Sequence, residues 1–202
     1  MQNSLKTNIC NYINPLIGKK IIGYIYYDVT TEEILTTNNN GIDIIAHQIE
    51  LSFNNGNTIF FSWTKIDNWS TYSLAVSNET FCKQVETFTT DSKYWRKIID
   101  NTLNKFKIYG YSKNNEPHMI LLVFNNGEKL GVANFFQEKD FIPKFAIGDD
   151  IWIIFGENNI ENCINKLGLK TVTNIVIVQN VIRVNFQSLF FIRKIANIKS
   201  FI

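Results

Sequence analysis

Short blocks of hydrophobic and aromatic residues, separated by polar turns, run through the first third of the chain. The block KKIIGYIYYDV is rich in β-branched and aromatic residues, as β-strands are. Asn-Gly pairs end several blocks and favour type I′ hairpin turns, in which both residues adopt positive φ. The pattern predicts a four-stranded antiparallel meander with strands at about 20–29, 32–38, 42–54 and 57–64.

The second half mixes two periodicities. The segment DSKYWRKIIDNTLNKF has helical spacing of its apolar residues, which predicts an amphipathic helix over about 92–105. A short helix after Asn158 or Asn159 should bury Ile160, Ile164 and Leu167 and end at Gly168. Further strands are predicted at about 106–112, 118–125, 128–135 and 150–155, then in TVTNIVIVQ and VIRVNF, before a final helix in SLFFIRKIANIKSFI.

Two segments of the chain repeat each other at an offset of 71 residues. HQIELSFNNGNTIFFSW begins at His47 and HMILLVFNNGEKLGVANF begins at His118, so the two histidines and the two FNNG motifs fall in register. We interpret the segments 42–64 and 113–135 as copies of one hairpin unit. The predicted fold is α+β: mainly antiparallel sheet built from two related β-hairpin halves, packed by two or three helices.

Length and composition favour one globular domain over residues 1–202. The chain is 45% hydrophobic and 19% charged, and no Pro-, Gly- or Ser-rich linker divides it. Its apolar runs are far shorter than the ~18 residues of a membrane span, and no signal peptide is legible. Three cysteines without paired spacing fit reduced thiols. We therefore expect a cytoplasmic protein without membrane association.

Charge is distributed unevenly along the chain. Residues 162–202 hold six basic and no acidic residues, whereas residues 1–161 are mildly acidic. A basic segment could attract the phosphates of nucleic acid. Apolar residues interleave with these cations so densely that packing against the acidic body is the simpler interpretation, and nucleic-acid binding stays an alternative.

Candidate catalytic chemistry is sparse. His47 and His118 are the two imidazoles, and their equivalent positions in the repeat are explained most simply by structure. Neither the spacing of zinc ligands nor a phosphate-binding glycine loop occurs. We expect no enzyme activity, no cofactor and no metal; a small enzyme or ligand-binding domain with a site between the two halves remains the alternative.

One polar segment carries an unusual aromatic residue. Trp63 ends an apolar strand and is expected in the core, whereas Trp69 follows Asp67 and Asn68 in a polar loop. Exposed aromatic residues commonly anchor protein interfaces. The alternative is that Trp69 folds back over the core.

Several motifs together resemble a family. The two FNNG hairpins, the FSW ending of the first, YWRKII and GDDIWIIF resemble bacterial immunity proteins, the antitoxins of polymorphic and contact-dependent toxin systems. The resemblance covers about residues 16–156. It implies a non-enzymatic antitoxin that binds a cognate toxin domain and occludes its active site. The partner-binding positions it implies are Asp67, Trp69, Tyr72, Glu138 and Asp140.

Overall fold

The computed structural model describes most of the chain up to residue 175. The described ranges are 2–28, 37–38, 40–65, 72–82, 86–110, 116–138, 142–144 and 150–175. The predicted C-terminal strand VIRVNF and the final helix lie outside these ranges, as does most of the predicted strand at 32–38.

A five-stranded antiparallel sheet contains most of the first half of the chain. Its strand order is β6-β5-β4-β1-β7. The bounds are β1 Ile21–Asp28, β4 Gln48–Phe53, β5 Thr58–Lys65, β6 Tyr72–Ser77 and β7 Glu86–Phe88.

A seven-stranded antiparallel sheet lies against the first, in the order β14-β8-β9-β10-β13-β3-β2. Its strands are β2 Thr37–Asn38, β3 Ile42–Ile45, β8 Leu103–Gly110, β9 Pro117–Phe124, β10 Lys129–Asn134, β13 Ile151–Phe155 and β14 Lys170–Ile175. A separate ribbon pairs β11 Phe136–Glu138 with β12 Ile142–Lys144. The described helices are α1 Gln2–Ile13, α2 Trp95–Ile98 and α3 Glu157–Leu167, and a 3-10 turn covers Asn14–Leu16.

Two hydrophobic layers hold these elements together. The inner faces of both sheets contribute to one cluster, which also takes Ile9, Ile13 and Leu16 from the N-terminal segment. A second cluster lies between the outer face of the seven-stranded sheet and the apolar side of α3. The described fold is therefore mainly antiparallel sheet with three α-helices, which confirms the α+β prediction; the relation between the two halves stays a prediction.

The predicted meander is wrong, because the segment 42–54 is two strands in two different sheets. β3 pairs with β13 in the seven-stranded sheet, and β4 pairs with β1 and β5 in the five-stranded sheet. Between them the chain bends at Ala46 and His47, whose backbone groups bond to side chains instead of strands. Ala46 N donates to Asp28 Oδ1, Trp63 Nε1 donates to Ala46 O, and the Ser62 hydroxyl donates to His47 O.

The predicted helix at 92–105 is also largely wrong. Only Trp95–Ile98 is helical, and β8 begins at Leu103. Asp100 adopts a left-handed φ of 64° and its N–H donates to Ile21 O, while Ile21 N donates to Asn101 O. Pairing with the start of β1 therefore overrides the helical periodicity, since both partners satisfy their backbone groups there.

Other predicted elements agree with the structure. α3 buries Ile160 and Leu167 as predicted and ends at Gly168, which has a left-handed φ of 61°. Ile164 is only half-buried, and the helix buries Cys163 in addition. Strands β8, β9, β10 and β13 lie within a few residues of their predicted positions. Helix α1 was not predicted, because its polar sequence has few apolar residues beyond Ile9 and Ile13.

Candidate partner-binding surface

The two FNNG motifs form turns at the same end of the two sheets, here called the turn end. In each, the phenylalanine N–H donates to the carbonyl oxygen four residues later, and the glycine N–H donates to that phenylalanine's carbonyl. Gly56 and Gly127 have φ of 80° and 88°, whereas Asn55 and Asn126 do not have positive φ. The predicted type I′ turns are therefore wrong; these are three-residue loops with one left-handed glycine.

A backbone bridge joins the sheets at the turn end. Lys20 pairs with Thr102, and each is also bonded to one of the turns. Lys20 N donates to Asn54 Oδ1 at 3.0 Å, and Thr102 N donates to Asn125 Oδ1 at 3.0 Å. The first asparagine of each motif thus makes the same contact in both sheets.

The opposite end of the sheets is here called the loop end, and the described strands next to the predicted partner-binding segments start or end there. β5 ends and β6 begins there, with Lys65 opposite Tyr72. The Ser73 hydroxyl of β6 donates to Pro117 O of β9 at 2.7 Å, so both sheets meet at this end. β10 also ends there, at Asn134, and β11 follows one residue later.

The structure describes two of the five predicted partner-binding residues. Tyr72 is half-buried, and its ring lies edge-on to Trp63 with centroids 5.1 Å apart. Glu138 is the last residue of β11. Asp67, Trp69 and Asp140 lie outside the described residues. Strands β5, β6 and β10, which precede or follow the predicted segments, nevertheless start or end at the loop end.

The two histidines have different surroundings despite their equal place in the repeat. His118 lies within β9, is 1% exposed, and its Nδ1 is 3.3 Å from Asn134 Oδ1 on the neighbouring strand. Burial lowers the pKa of His118 to about 4. His47 lies in the bend before β4 and is half-buried.

A buried series of hydrogen bonds joins β1 of the five-stranded sheet to β3 of the seven-stranded sheet. Trp95 Nε1 donates to the Tyr26 hydroxyl at 2.7 Å, and that hydroxyl donates to Asp43 Oδ2 at 2.5 Å. Burial raises the pKa of Asp43, and the bond from Tyr26 partly opposes this shift. Burial and the neighbouring carboxylate raise the pKa of Tyr26. The Ser73–Pro117 bond lies at the β6 edge of the five-stranded sheet, and the bonds among Trp95, Tyr26 and Asp43 lie near its β7 edge. The two sheets are therefore joined near both edges of the five-stranded sheet.

The outer face of the five-stranded sheet carries a group that the sequence analysis missed. The Tyr27 hydroxyl donates to Glu50, and the Tyr27 and Phe60 rings meet edge-on. Burial, followed by the bond to Glu50, raises the pKa of Tyr27 to about 12. The sequence did carry a signal for this face: polar residues alternate with apolar ones in HQIELSF, which indicates that one face of β4 lies outside the core.

An exposed phenylalanine lies beside this face. Gln48 is fully buried, and its amide accepts a bond from Phe81 N at 2.9 Å and donates to Thr80 Oγ1 at 2.8 Å. The two bonds hold the segment after β6, and the Phe81 side chain is 43% exposed. Ile22, near the turn end, is the other large hydrophobic residue exposed in the described part of the chain. Phe81 is therefore an aromatic contact residue available near the loop end.

Among the residues that the structure describes, two features are absent. No group of three His, Cys, Asp or Glu side chains is placed to hold a metal ion. No helix among them has the length and apolar character required to span a membrane.

Comparisons with known proteins return nothing for this chain: no family model matches it, and neither a curated protein nor a solved structure is significantly similar.

Proposed function

We propose that this protein is an immunity-type inhibitor that acts in the cytoplasm, binding a cognate bacterial toxin domain and occluding its active site without catalysis. The resemblance described above motivates the class of protein. The proposed contact surface is the loop end together with Phe81.

The observation that carries the proposal is that the two predicted binding segments begin at the same end of the sheets. The segment with Asp67 and Trp69 joins β5 to β6, whose first residue is Tyr72. Glu138 ends β11, the strand that follows β10, and Asp140 comes two residues later. Both begin at an end where Ser73 of one sheet bonds to Pro117 of the other. Connecting segments positioned by a rigid scaffold are the usual arrangement of a binding surface.

The two halves are, in this proposal, products of a duplication. The inner positions of β4 are Ile49, Leu51 and Phe53, and those of β9 are Ile120, Leu122 and Phe124, in the same order. The two turns also share their backbone bonds and their asparagine contacts. A duplicated hairpin accounts for both agreements with one event.

Acidic and aromatic residues at the binding surface would suit a basic toxin domain. Glu50 lies on the outer face beside Phe60 and Tyr27, and Glu79 is exposed next to the Phe81 segment. Opposite charge speeds association, and a central exposed aromatic residue supplies much of the affinity.

The test is a binding measurement with the protein encoded by the adjacent reading frame, prepared as an inactive toxin domain. We expect a complex at micromolar concentration or tighter, and inhibition of the active toxin. Phe81→Ala should weaken binding about tenfold, the equivalent of ~1.4 kcal/mol. The same is expected for a combined Asp67→Ala and Trp69→Ala variant.

Ile22→Ala is the matched control, because Ile22 is 51% exposed, against 43% for Phe81, but lies near the turn end. It should leave toxin binding unchanged. The proposal is overturned if no complex forms, if the neighbouring protein is not a toxin, or if Ile22→Ala weakens binding as much as Phe81→Ala does.

A further inference from the structure

A cleft of about 500 Å³ opens at the turn end, at the other end of the sheets from the loop end. It lies between the N-terminal helical segment and the first FNNG turn, with Asn78 at its side. Asn11 and Tyr12 come from α1, and Asn57 and Thr58 come from the turn and the start of β5. Its volume falls within the ~300–1,000 Å³ that is usual for small-molecule sites.

The lining of the cleft is polar but uncharged. Three asparagine amides, the Thr58 hydroxyl and the Tyr12 phenol contribute donors and acceptors, and Pro15, Leu16 and Ile59 contribute apolar surface. Within the described residues, no charged side chain lines the cleft. The side chains of Asn11, Asn57 and Asn78 form no hydrogen bond to the protein there. These amides are therefore available to a ligand that brings its own hydroxyl groups.

At the second FNNG turn, the side chains equivalent to those of the cleft form contacts within the protein. Glu128, the counterpart of Asn57, forms an ion pair with Lys97 at 3.8 Å, and Asn126 Nδ2 donates to Lys97 O at 2.8 Å. Lys129, the counterpart of Thr58, is paired with Glu157. Contacts within the protein occupy the second turn, whereas neutral side chains at the first turn face an open cleft.

We propose that the cleft at the first turn binds an uncharged carbohydrate, such as one or two pyranose rings. A sugar ring presents neighbouring hydroxyl groups that both donate and accept, which matches the paired donor and acceptor of an asparagine amide. It also presents C–H surface, which packs on aromatic and apolar side chains such as Tyr12 and Ile59.

Other small-molecule classes fit the lining less well. A phosphate or carboxylate would need a cation or a cluster of backbone N–H groups, and the described lining has no cation. A planar base would need apolar surface against both faces, whereas the cleft offers a single aromatic ring and mostly amide groups. An uncharged polyhydroxy ligand can form hydrogen bonds with the amide and hydroxyl groups and can also pack on the apolar side chains of the cleft.

The test uses the full chain and a panel of defined probes: maltose, lactose and N,N′-diacetylchitobiose as neutral sugars, with glucose 6-phosphate and adenine as counter-probes. Binding is followed by the amide side-chain signals of the asparagines in two-dimensional NMR and by calorimetry. We expect saturable binding of at least one neutral sugar, with shifts of the Asn11, Asn57 and Asn78 side-chain signals. Glucose 6-phosphate and adenine should bind at least tenfold more weakly.

Asn57→Ala and Asn78→Ala should each weaken sugar binding about tenfold, because each removes hydrogen bonds to the ligand. Glu128→Ala is the matched control at the equivalent turn position and should leave sugar binding unchanged. Both asparagines are exposed, so the thermal midpoint should stay close to that of the unaltered protein. The proposal is wrong if no neutral sugar binds saturably, if adenine or glucose 6-phosphate binds as well, or if Asn57→Ala has no effect. Phe81→Ala, which tests toxin binding, should not alter sugar binding, so the two proposals can fail separately.

Discussion

The two hairpins of this protein have the same inner face and different outer faces. Both bury isoleucine, leucine and phenylalanine at successive inner positions of their first strand. The outer positions of β4 are Gln48, Glu50 and Ser52, whereas those of β9 are Met119, Leu121 and Val123. The inner residues pack in one core between the sheets. The residue types on each outer face depend on what packs against that face.

Helix α3 accounts for the difference on the second hairpin. It packs on the outer face of β10 and β13, and Gly131 makes room for it, since a Cβ there would lie 3.4 Å from Ile160 Cγ1. The first hairpin has Phe60 at the equivalent position, packed against Tyr27. Covering a sheet face with a helix therefore requires apolar and small residues, while the face without such a helix keeps polar and aromatic ones.

The largest expected effect tests the equivalence of the inner faces. Phe53 and Phe124 are each 1% exposed and begin the two turns. Phe53→Ala and Phe124→Ala should each lower the free energy of unfolding by ~3–5 kcal/mol, measured by urea denaturation, because each leaves a cavity in the shared core. Phe→Leu at the same positions serves if the alanine variants do not fold. A cost at one position less than half that at the other would contradict the equivalence.

The sequence predicted the parts of the fold that are decided locally. The FNNG hairpins and α3 depend on residues within one or two turns of each other, and these predictions agree with the structure in position. The separation of β3 from β4 depends on Asp28 and Trp63, which contact the bend at Ala46 from distant parts of the chain. The short α2 likewise depends on pairing between residues 21 and 101. Such long-range pairing leaves no periodic signal.

The candidate sites were predictable to different degrees. The segment around Trp69 could be identified because a large aromatic residue in a polar loop is unusual. Phe81 was missed because its position depends on Gln48, which is 33 residues earlier in the chain. The cleft was missed because Asn11, Asn57 and Asn78 become neighbours only when α1 packs beside the first turn. Asparagine is frequent in this chain, so single residues gave no signal.

The second prediction contrasts the two histidines. His118 has its pKa lowered to about 4 by burial, from an ordinary value of 6.5. The unfolded chain therefore binds a proton that the folded protein does not between these values, and stability falls as the pH falls from 6.5 to 4. The loss amounts to about 3 kcal/mol over this range. Urea denaturation at a series of pH values measures it.

A His118→Gln variant should lose this part of the pH dependence, whereas a His47→Gln variant should keep it because His118 is still present. If both variants follow the pH profile of the unaltered protein, the burial of His118 does not control acid stability. Carboxylates contribute to all three profiles, so the comparison rests on the difference between variants.

The third prediction tests the covered outer face. Gly131→Val should lower the free energy of unfolding by ~1–3 kcal/mol, since its Cβ would lie 3.0 Å from Met119 Cε and 3.4 Å from Ile160 Cγ1, beneath α3. Gly23→Val in β1 is the control, because no atom lies within 4 Å of a Cβ at that position. Thermal denaturation compares the two. Equal tolerance of both changes would mean that α3 does not pack closely on β10.

The smallest effect tests whether the two turns are energetically alike as well as similar in geometry. Gly56 and Gly127 have φ of 80° and 88°, and a Cβ at either position would meet no atom within 4 Å. Replacement by alanine should therefore cost only the backbone strain of the left-handed region, ~1 kcal/mol at each turn. Asparagine, which tolerates this region better, should cost less than alanine at both. Thermal denaturation of the four variants measures these costs. If alanine costs far more at one turn than at the other, contacts beyond the turn, such as those of Lys97 with the second hairpin, determine the energy of that turn.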